Sequence, residues 1–344
     1  MRAVFSQALV EAAQCDDRVL LLTGDHGYAL FDDFRRLCPG QYINAGVAEQ
    51  NMVGVAAGLA KGGFLPVVYG LSAFVPIRVL EQIKLDVCYE ELPVVFIGDG
   101  AGVVYSALGS SHQSTEDIAA LRALPHMAIL SPADAFEMAA CMRLAFERRG
   151  PVYLRMGKAD LGNVHIAQPD IEWGRPCRIL SGGGPLAFLA TGSLVTTAVR
   201  AAADWPDSDV YSVPCLKPLA SDEVRNICRR HSAVIVLEEH SVYGGLGSAV
   251  AEIAAAEAPT WVCRIGVQDR FSRYCGSYAY LMREHGLDAA SIGARVREFL
   301  DRQDKETRGQ GDKERFEVGA ALPATLPLVP LSPCPLVMQP RKTA

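Results

Sequence analysis

The ten cysteines contain no CxxC pair, so the sequence shows neither the ligand spacing of a zinc site nor a disulfide framework. Scattered thiols of this kind suit the reducing cytoplasm, which is the expected location. Basic clusters longer than a few residues are also missing. Lys plus Arg number 33 against 39 Asp plus Glu, a formal net charge of −6, and a nucleic-acid partner is not expected. No apolar run approaches the roughly 20 residues that span a bilayer. The opening MRAVFSQALVEAAQ is interrupted by Glu11 and lacks the unbroken apolar stretch of a signal peptide. No internal repeat occurs, and no membrane partner is expected.

What is present is ordinary for a globular protein: 344 residues, 50% hydrophobic and 21% charged, enough for two domains. Short apolar segments (RVLLLTGD, PVVYGL, PVVFIGD, MAILSP, PVYLRMG) alternate with helical patterns over 3–15, 47–61, 76–88, 114–124 and 134–148. This alternation predicts an α/β domain with a mostly parallel, doubly wound sheet, and ligands in such sheets gather at the carboxyl ends of the strands. Asp25, Ser72 and Asp99 fall at such ends. After a lapse in the pattern a second, smaller doubly wound α/β domain follows. The expected boundaries are 1–168, a linker over 169–184, 185–302, and a flexible Pro-rich tail over 303–344.

One stretch stands out: QYINAGVAEQNMVGVAAGLA, residues 41–60. Nothing charged follows Asn51 until Lys61, so Met52–Ala60 should be buried on nearly every side. A helix from Val47 places Glu49 on the apolar face with Met52, Val53 and Ala56, where a carboxylate needs a partner. One reading makes Gly46 the N-cap and Glu49 the third helical residue of a capping box. The other makes Glu49 a functional acid.

GVAEQNM at 46–52, SSHQSTEDIAALRALPHMAILSPAD at 110–134, PVYLR at 151–155 and LEEHSVYGGLGSAVAE at 237–252 together resemble the thiamine-diphosphate transketolase family. The resemblance covers about residues 1–300, in the order of that family's pyrimidine-binding and C-terminal domains. Single-chain members also carry a diphosphate-binding domain with GDG and, 25 to 30 residues later, an asparagine. Here Gly98-Asp99-Gly100 has no asparagine after it before Asn163, so it reads as a strand-end turn. The resemblance therefore implies a split enzyme. A separate diphosphate-binding subunit would hold Mg2+ (or Ca2+), the two chains would assemble as α2β2, and a ketose donor would be the small-molecule partner.

The resemblance also implies residue roles. Glu49 would hydrogen-bond N1′ of the aminopyrimidine of thiamine diphosphate and so promote loss of the thiazolium C2 proton. Phe74, otherwise a core phenylalanine, would lie against the pyrimidine. His112 would bind the donor's hydroxyls, and Asp25 would sit at the cofactor-facing edge or simply in a turn. Arg2 and Arg155 would bind a sugar phosphate, unless they serve in structural salt bridges. Three positions depart from the family: a serine and a histidine expected at the phosphate fall on Ala29 and Gly100, and a hydroxyl-reading acid falls on Leu108. The implied activity is transfer of a two-carbon ketol unit to an aldehyde or another acceptor, including a non-sugar one. Alternatives are the β subunit of a 2-oxo-acid dehydrogenase's thiamine component, a deoxyxylulose-phosphate-synthase-like enzyme, or a non-catalytic scaffold. The glycines at 244, 245 and 247, at a helix start, read as structural although such a loop can bind an anion.

Overall fold

The computed structural model describes residues 1–317 apart from 28, 159 and 160, and the side chains of 307–317 are not described. Its first compact unit is Met1–Leu300. Twelve strands are found among the described residues: β1 (Val19–Thr23), β2 (Tyr42–Asn44), β3 (Leu65–Leu71), β4 (Val95–Asp99), β5 (Ala128–Leu130), β6 (Val152–Met156), β7 (Cys177–Leu180), β8 (Leu186–Ala190), β9 (Asp209–Ser212), β10 (Cys215–Lys217), β11 (Ala233–Ser241) and β12 (Trp261–Val267).

They form two sheets, in the orders β10-β5-β6-β4-β3-β1-β2 and β12-β11-β8-β9-β7. The pairs β1–β2, β1–β3, β3–β4, β4–β6 and β5–β6 are parallel. β1, β4 and β6 are buried throughout, as strands covered on both faces must be. Apolar clusters lie on both faces of the first sheet. One of them, which includes Met52, Val53, Phe96 and Tyr153, runs on into the second half through Leu189, Val236 and Val250.

The two halves are more interleaved than the sequence pattern suggests. β10 belongs to the second half yet pairs antiparallel with β5 at the edge of the first sheet. β7, inside the expected linker, pairs antiparallel with β9 as the edge of the second sheet. Both are three- or four-residue strands whose partners lie far away in the chain. From Asp301 the chain forms a separate unit. The expected tail is helical at its start, within the helix Ala289–Glu317, and its Pro-rich part lies outside the described residues.

The helix of the opening motif spans Glu49–Lys61 with Ala48 as N-cap, so it starts two residues later than the pattern suggests. Glu49, Met52, Val53, Ala56, Ala57 and Ala60 are buried, but the opposite side is open: Val55 is 40% exposed and Gly54 and Gly58 are exposed too. The expectation of burial on nearly every side fails because absence of charge does not by itself cover a face.

Candidate active site

The carboxyl ends of β1 to β4 bring four side chains together around Phe74. The turn after β1 supplies His26 and the helix after β2 starts with Glu49. The turn after β3 supplies Phe74 and, one helical turn on, Arg78. The loop after β4 supplies His112. Glu49 is 4% exposed. Arg78 Nη1 donates to its Oε1 at 3.1 Å, and His26 Nε2 lies 3.8 Å from that same oxygen. The Arg78 guanidinium sits 4.1 Å from the Phe74 ring centre, a cation–π contact. The His26 and His112 rings lie 6.1 and 5.4 Å from that ring. His112 Nδ1 is 3.0 Å from Ser111 Oγ.

Burial pushes the Glu49 carboxyl up. Its own backbone amide, the Arg78 guanidinium and His26 outweigh that, so it stays ionised below the ordinary carboxylate range. A buried anion beside an aromatic face, with an orphaned ring nitrogen at His26 Nε2, fits a flat nitrogen heterocycle that can hydrogen-bond a carboxylate. An aminopyrimidine is such a group. Among the described residues no three His, Cys, Asp or Glu side chains group as a metal site would need.

Asp25 is exposed and lines, with His26, Arg35, Tyr42 and Asn44, a cavity of about 90 Å³ beside the cluster. The two arginines expected at a phosphate each have an acidic partner within the chain. Arg2 Nη2 lies 3.6 Å from Asp99 Oδ2, its side chain 46% exposed. Arg155 is 2% exposed and committed: Nε donates to Asp117 Oδ2 at 2.7 Å, and Nη2 to the Ser114 and Glu239 carbonyls at 3.1 and 2.9 Å. It ties β6 to the second half instead of facing the cluster. Asp99 closes its strand in a turn. Its Oδ2 accepts Tyr69 Oη at 2.8 Å and Tyr105 Oη at 3.1 Å, and burial pushes both phenols up.

One departure in the expected substrate pocket, Gly100, has a local cause. Gly100 has φ +72°, and a Cβ there would come within 2.0 Å of Tyr105 Cε2, so the tyrosine ring occupies the space a histidine would need. Leu108 is 54% exposed on the loop between Tyr105 and His112. In the second half, the glycine-rich helix start is already filled by a carboxylate of the chain itself: Glu238 accepts from Leu246 N at 2.8 Å and Gly247 N at 2.9 Å. A Cβ on Gly245 would sit 1.9 Å from Glu238 Oε2. The glycines make room for that cap.

His26 and Arg78 were not singled out by the sequence. The available signals were a histidine directly after a strand end and an arginine four residues beyond Phe74, on the same face of a helical turn.

These features belong to two α/β sheets in series, the first of which gathers a buried carboxylate and an aromatic ring at its strand ends. Residues 1–163 match the transketolase pyrimidine-binding domain and 176–292 the transketolase C-terminal domain. The chain belongs to the transketolase family. It is 33% identical over 308 residues to the 6-deoxy-6-sulfo-D-fructose transketolase subunit SqwH of Clostridium sp. (strain MSTE9), covering 88% of this chain and 95% of that one. It is 33% identical over 306 residues to an apulose-4-phosphate transketolase subunit of Phocaeicola vulgatus, covering 87% and 97%. A solved split-gene transketolase, described as an inactive beta4 tetramer, superposes with a TM-score of 0.79 at 34% identity, covering 87% of this chain and 97% of that one. The 1-deoxy-D-xylulose-5-phosphate synthase of Methylibium petroleiphilum is 38% identical over 297 residues, but only 46% of its length is matched.

Proposed function

We propose that this chain is the pyrimidine-side subunit of a two-chain transketolase. It would act with a separate diphosphate-binding subunit, in a heterotetramer, on a ketose donor and an aldehyde or other acceptor. Thiamine diphosphate, when bound with a divalent ion that the partner would hold, would supply a carbon nucleophile for two-carbon transfer. The observation that carries the reading is the ionised, buried Glu49 carboxylate beside the Phe74 face.

Arg78 donates to Glu49 Oε1, and the carboxylate would accept a hydrogen bond from the bound group's ring nitrogen. Burial keeps that contact out of exchange with water, and Phe74 supplies the surface against which the ring lies. His112, on the far loop against Phe74, offers a hydrogen bond to a donor hydroxyl. Asp25 borders the same pocket. Arg2 remains accessible for an anionic substrate end, whereas Arg155 serves the fold. Matches over nearly the whole length of split transketolase subunits support this reading. With Ala29, Gly100 and Leu108 replacing polar groups, the pocket suits a substrate other than an ordinary sugar phosphate pair, and such specialised substrates are named for the SqwH and apulose relatives.

The test is reconstitution with the diphosphate-binding subunit. Glu49→Gln should assemble normally and lose at least about 10²-fold in turnover, the lower end of what a positioned acid–base group contributes. Turnover unchanged in Glu49→Gln would remove the assigned role.

A further inference from the structure

His26 is the one member of the cluster whose buried polar atom has no partner among the described residues: Nε2 is shielded from solvent and makes no hydrogen bond. Buried polar groups are nearly always satisfied, and an unsatisfied one costs free energy that the rest of the fold must offset. Exceptions of this kind are expected where a ligand or a working side chain completes the set. The ring is only 20% exposed, so solvent does not satisfy it either.

Its surroundings narrow the role. At 3.8 Å from Glu49 Oε1 the nitrogen is beyond hydrogen-bond distance but within ion-pair distance. Arg78 reaches the same oxygen at 3.1 Å. The remaining charged or titratable groups around His26 are its chain neighbour Asp25, Arg35 and Tyr42 across the small cavity, and His112 on the other contact of Phe74. Glu49 is the only one of these that the ring faces at ion-pair distance among the described residues. The arginine's hydrogen bond and the imidazole at ion-pair distance thus bear on the same oxygen, Oε1.

We propose that His26 is a positioning residue of this site: with Arg78 it clamps Glu49 Oε1, setting both the orientation and the charge of the carboxylate. The inference rests on the functional reading of Glu49 above. It adds a control that a single arginine, 46% exposed on its side chain, would exert only loosely.

The clamp has a readout that does not need the cofactor. In the full chain alone, the Glu49 carboxyl can be titrated by carbon-13 NMR, its signal assigned from Glu49→Gln. The charge of His26 is one of the causes that hold the Glu49 carboxyl down. His26→Leu removes that charge without opening the pocket. It should raise the Glu49 midpoint by roughly 0.8 pH units, the Coulomb interaction of unit charges 3.8 Å apart at the dielectric of water. His26→Gln, which keeps a donor near the Nε2 position, should shift it less. In the assembled enzyme the acid limb of kcat/KM should move up by the same amount in His26→Leu and be partly restored in His26→Gln.

A Glu49 midpoint and an acid limb that both stay in place, with the variants folded, would overturn the clamp. So would a loss of melting temperature in His26→Leu without any movement of the Glu49 midpoint. The two readings separate cleanly. If Glu49→Gln left turnover intact, the functional reading would fail, while the Glu49 titration in the lone chain would still decide the clamp.

Discussion

Arg155 supplies the sharpest contest between an expected substrate contact and a structural role, because the two predict different observables. Its guanidinium and the Asp117 carboxylate are buried, 2% and 0% exposed, and meet at 2.7 Å. Tyr153 Oη donates to the same Asp117 oxygen at 2.7 Å, and the arginine's other bonds run to Ser114 and Glu239 carbonyls. Two unit charges about 4 Å apart at an effective dielectric near 20 attract by about 4 kcal/mol. Removing one member of such a pair leaves the other charged and desolvated, at a cost of about 3–5 kcal/mol. Asp117→Asn keeps the shape and removes the charge, so it should destabilise the chain by about 3 kcal/mol, and Asp117→Ala by nearer 5. At roughly 2–4 °C per kcal/mol for domains of this size, melting should drop by about 10 °C. Thermal and urea unfolding measure this directly. In the assembled enzyme, KM for a phosphorylated ketose should not respond to Arg155→Lys beyond what the lost stability explains. A variant of Arg155 that melts normally but raises that KM tenfold would refute the structural assignment.

Three further outcomes follow from other parts of the molecule. Glu238→Ala removes the acceptor for Leu246 N and Gly247 N at the start of the helix Leu246–Glu257, and should cost about 1–3 kcal/mol in urea unfolding. His165 Nε2 sits 2.8 Å from Glu137 Oε1; burial opposes its charge, but the Glu137 bond and charge prevail and raise its folded pKa. Its stabilising contribution is therefore full below the unfolded value near 6.5 and fades as pH rises through the folded one, so the stability gap between wild type and His165→Ala should be wider at pH 6 than at pH 9. An equal gap at both pH values would count against the pair. Leu108→Asp, on an exposed loop, should leave melting unchanged. It should sharpen discrimination among ketose donors from the roughly 10² of an apolar wall toward the 10⁴ of a hydroxyl-reading site, as steady-state kinetics with a ketose phosphate panel would show.

The regular elements were legible because their signals are local. β1, β4 and β6 each open on an apolar run, and the helix Ala135–Glu147 announces itself through Asp134, whose Oδ1 accepts from Phe136 N and Glu137 N. Elements made by distant pairing were not. β10 is three residues long and exists as a strand because β5, some 85 residues earlier, offers an edge. Arg155 stands one residue before the end of its strand, where an arginine facing substrate and one facing a buried acid look alike; Asp117, 38 residues away, decides between them. Likewise Arg78 reaches Glu49 from 29 residues away. A single sequence carries periodicity, but not which side chains meet across a loop.

Glu49 itself shows how a small shift in register changes the chemistry available. As third residue of a capping box its carboxylate would bend back to the N-cap amide and be consumed by the helix. The helix instead begins at Glu49 with Ala48 as N-cap, and no side chain caps it. A carboxylate in the first helical position still gains from the positive end of the helix dipole. With its own amide as its backbone partner, the carboxylate lies at the helix end within reach of the turns after β1 and β3. There it meets His26 and Arg78. Moving the start back to Val47 would turn an acid held for a ligand into an ordinary cap. An Ala48→Asp variant tests this, since aspartate is a strong N-cap. It should raise helix stability by about 1 kcal/mol. It should also bring a second negative charge next to Glu49, moving the Glu49 titration up and lowering turnover in the assembled enzyme. A variant that gained stability without either effect would show that the geometry of the helix start is irrelevant to the site.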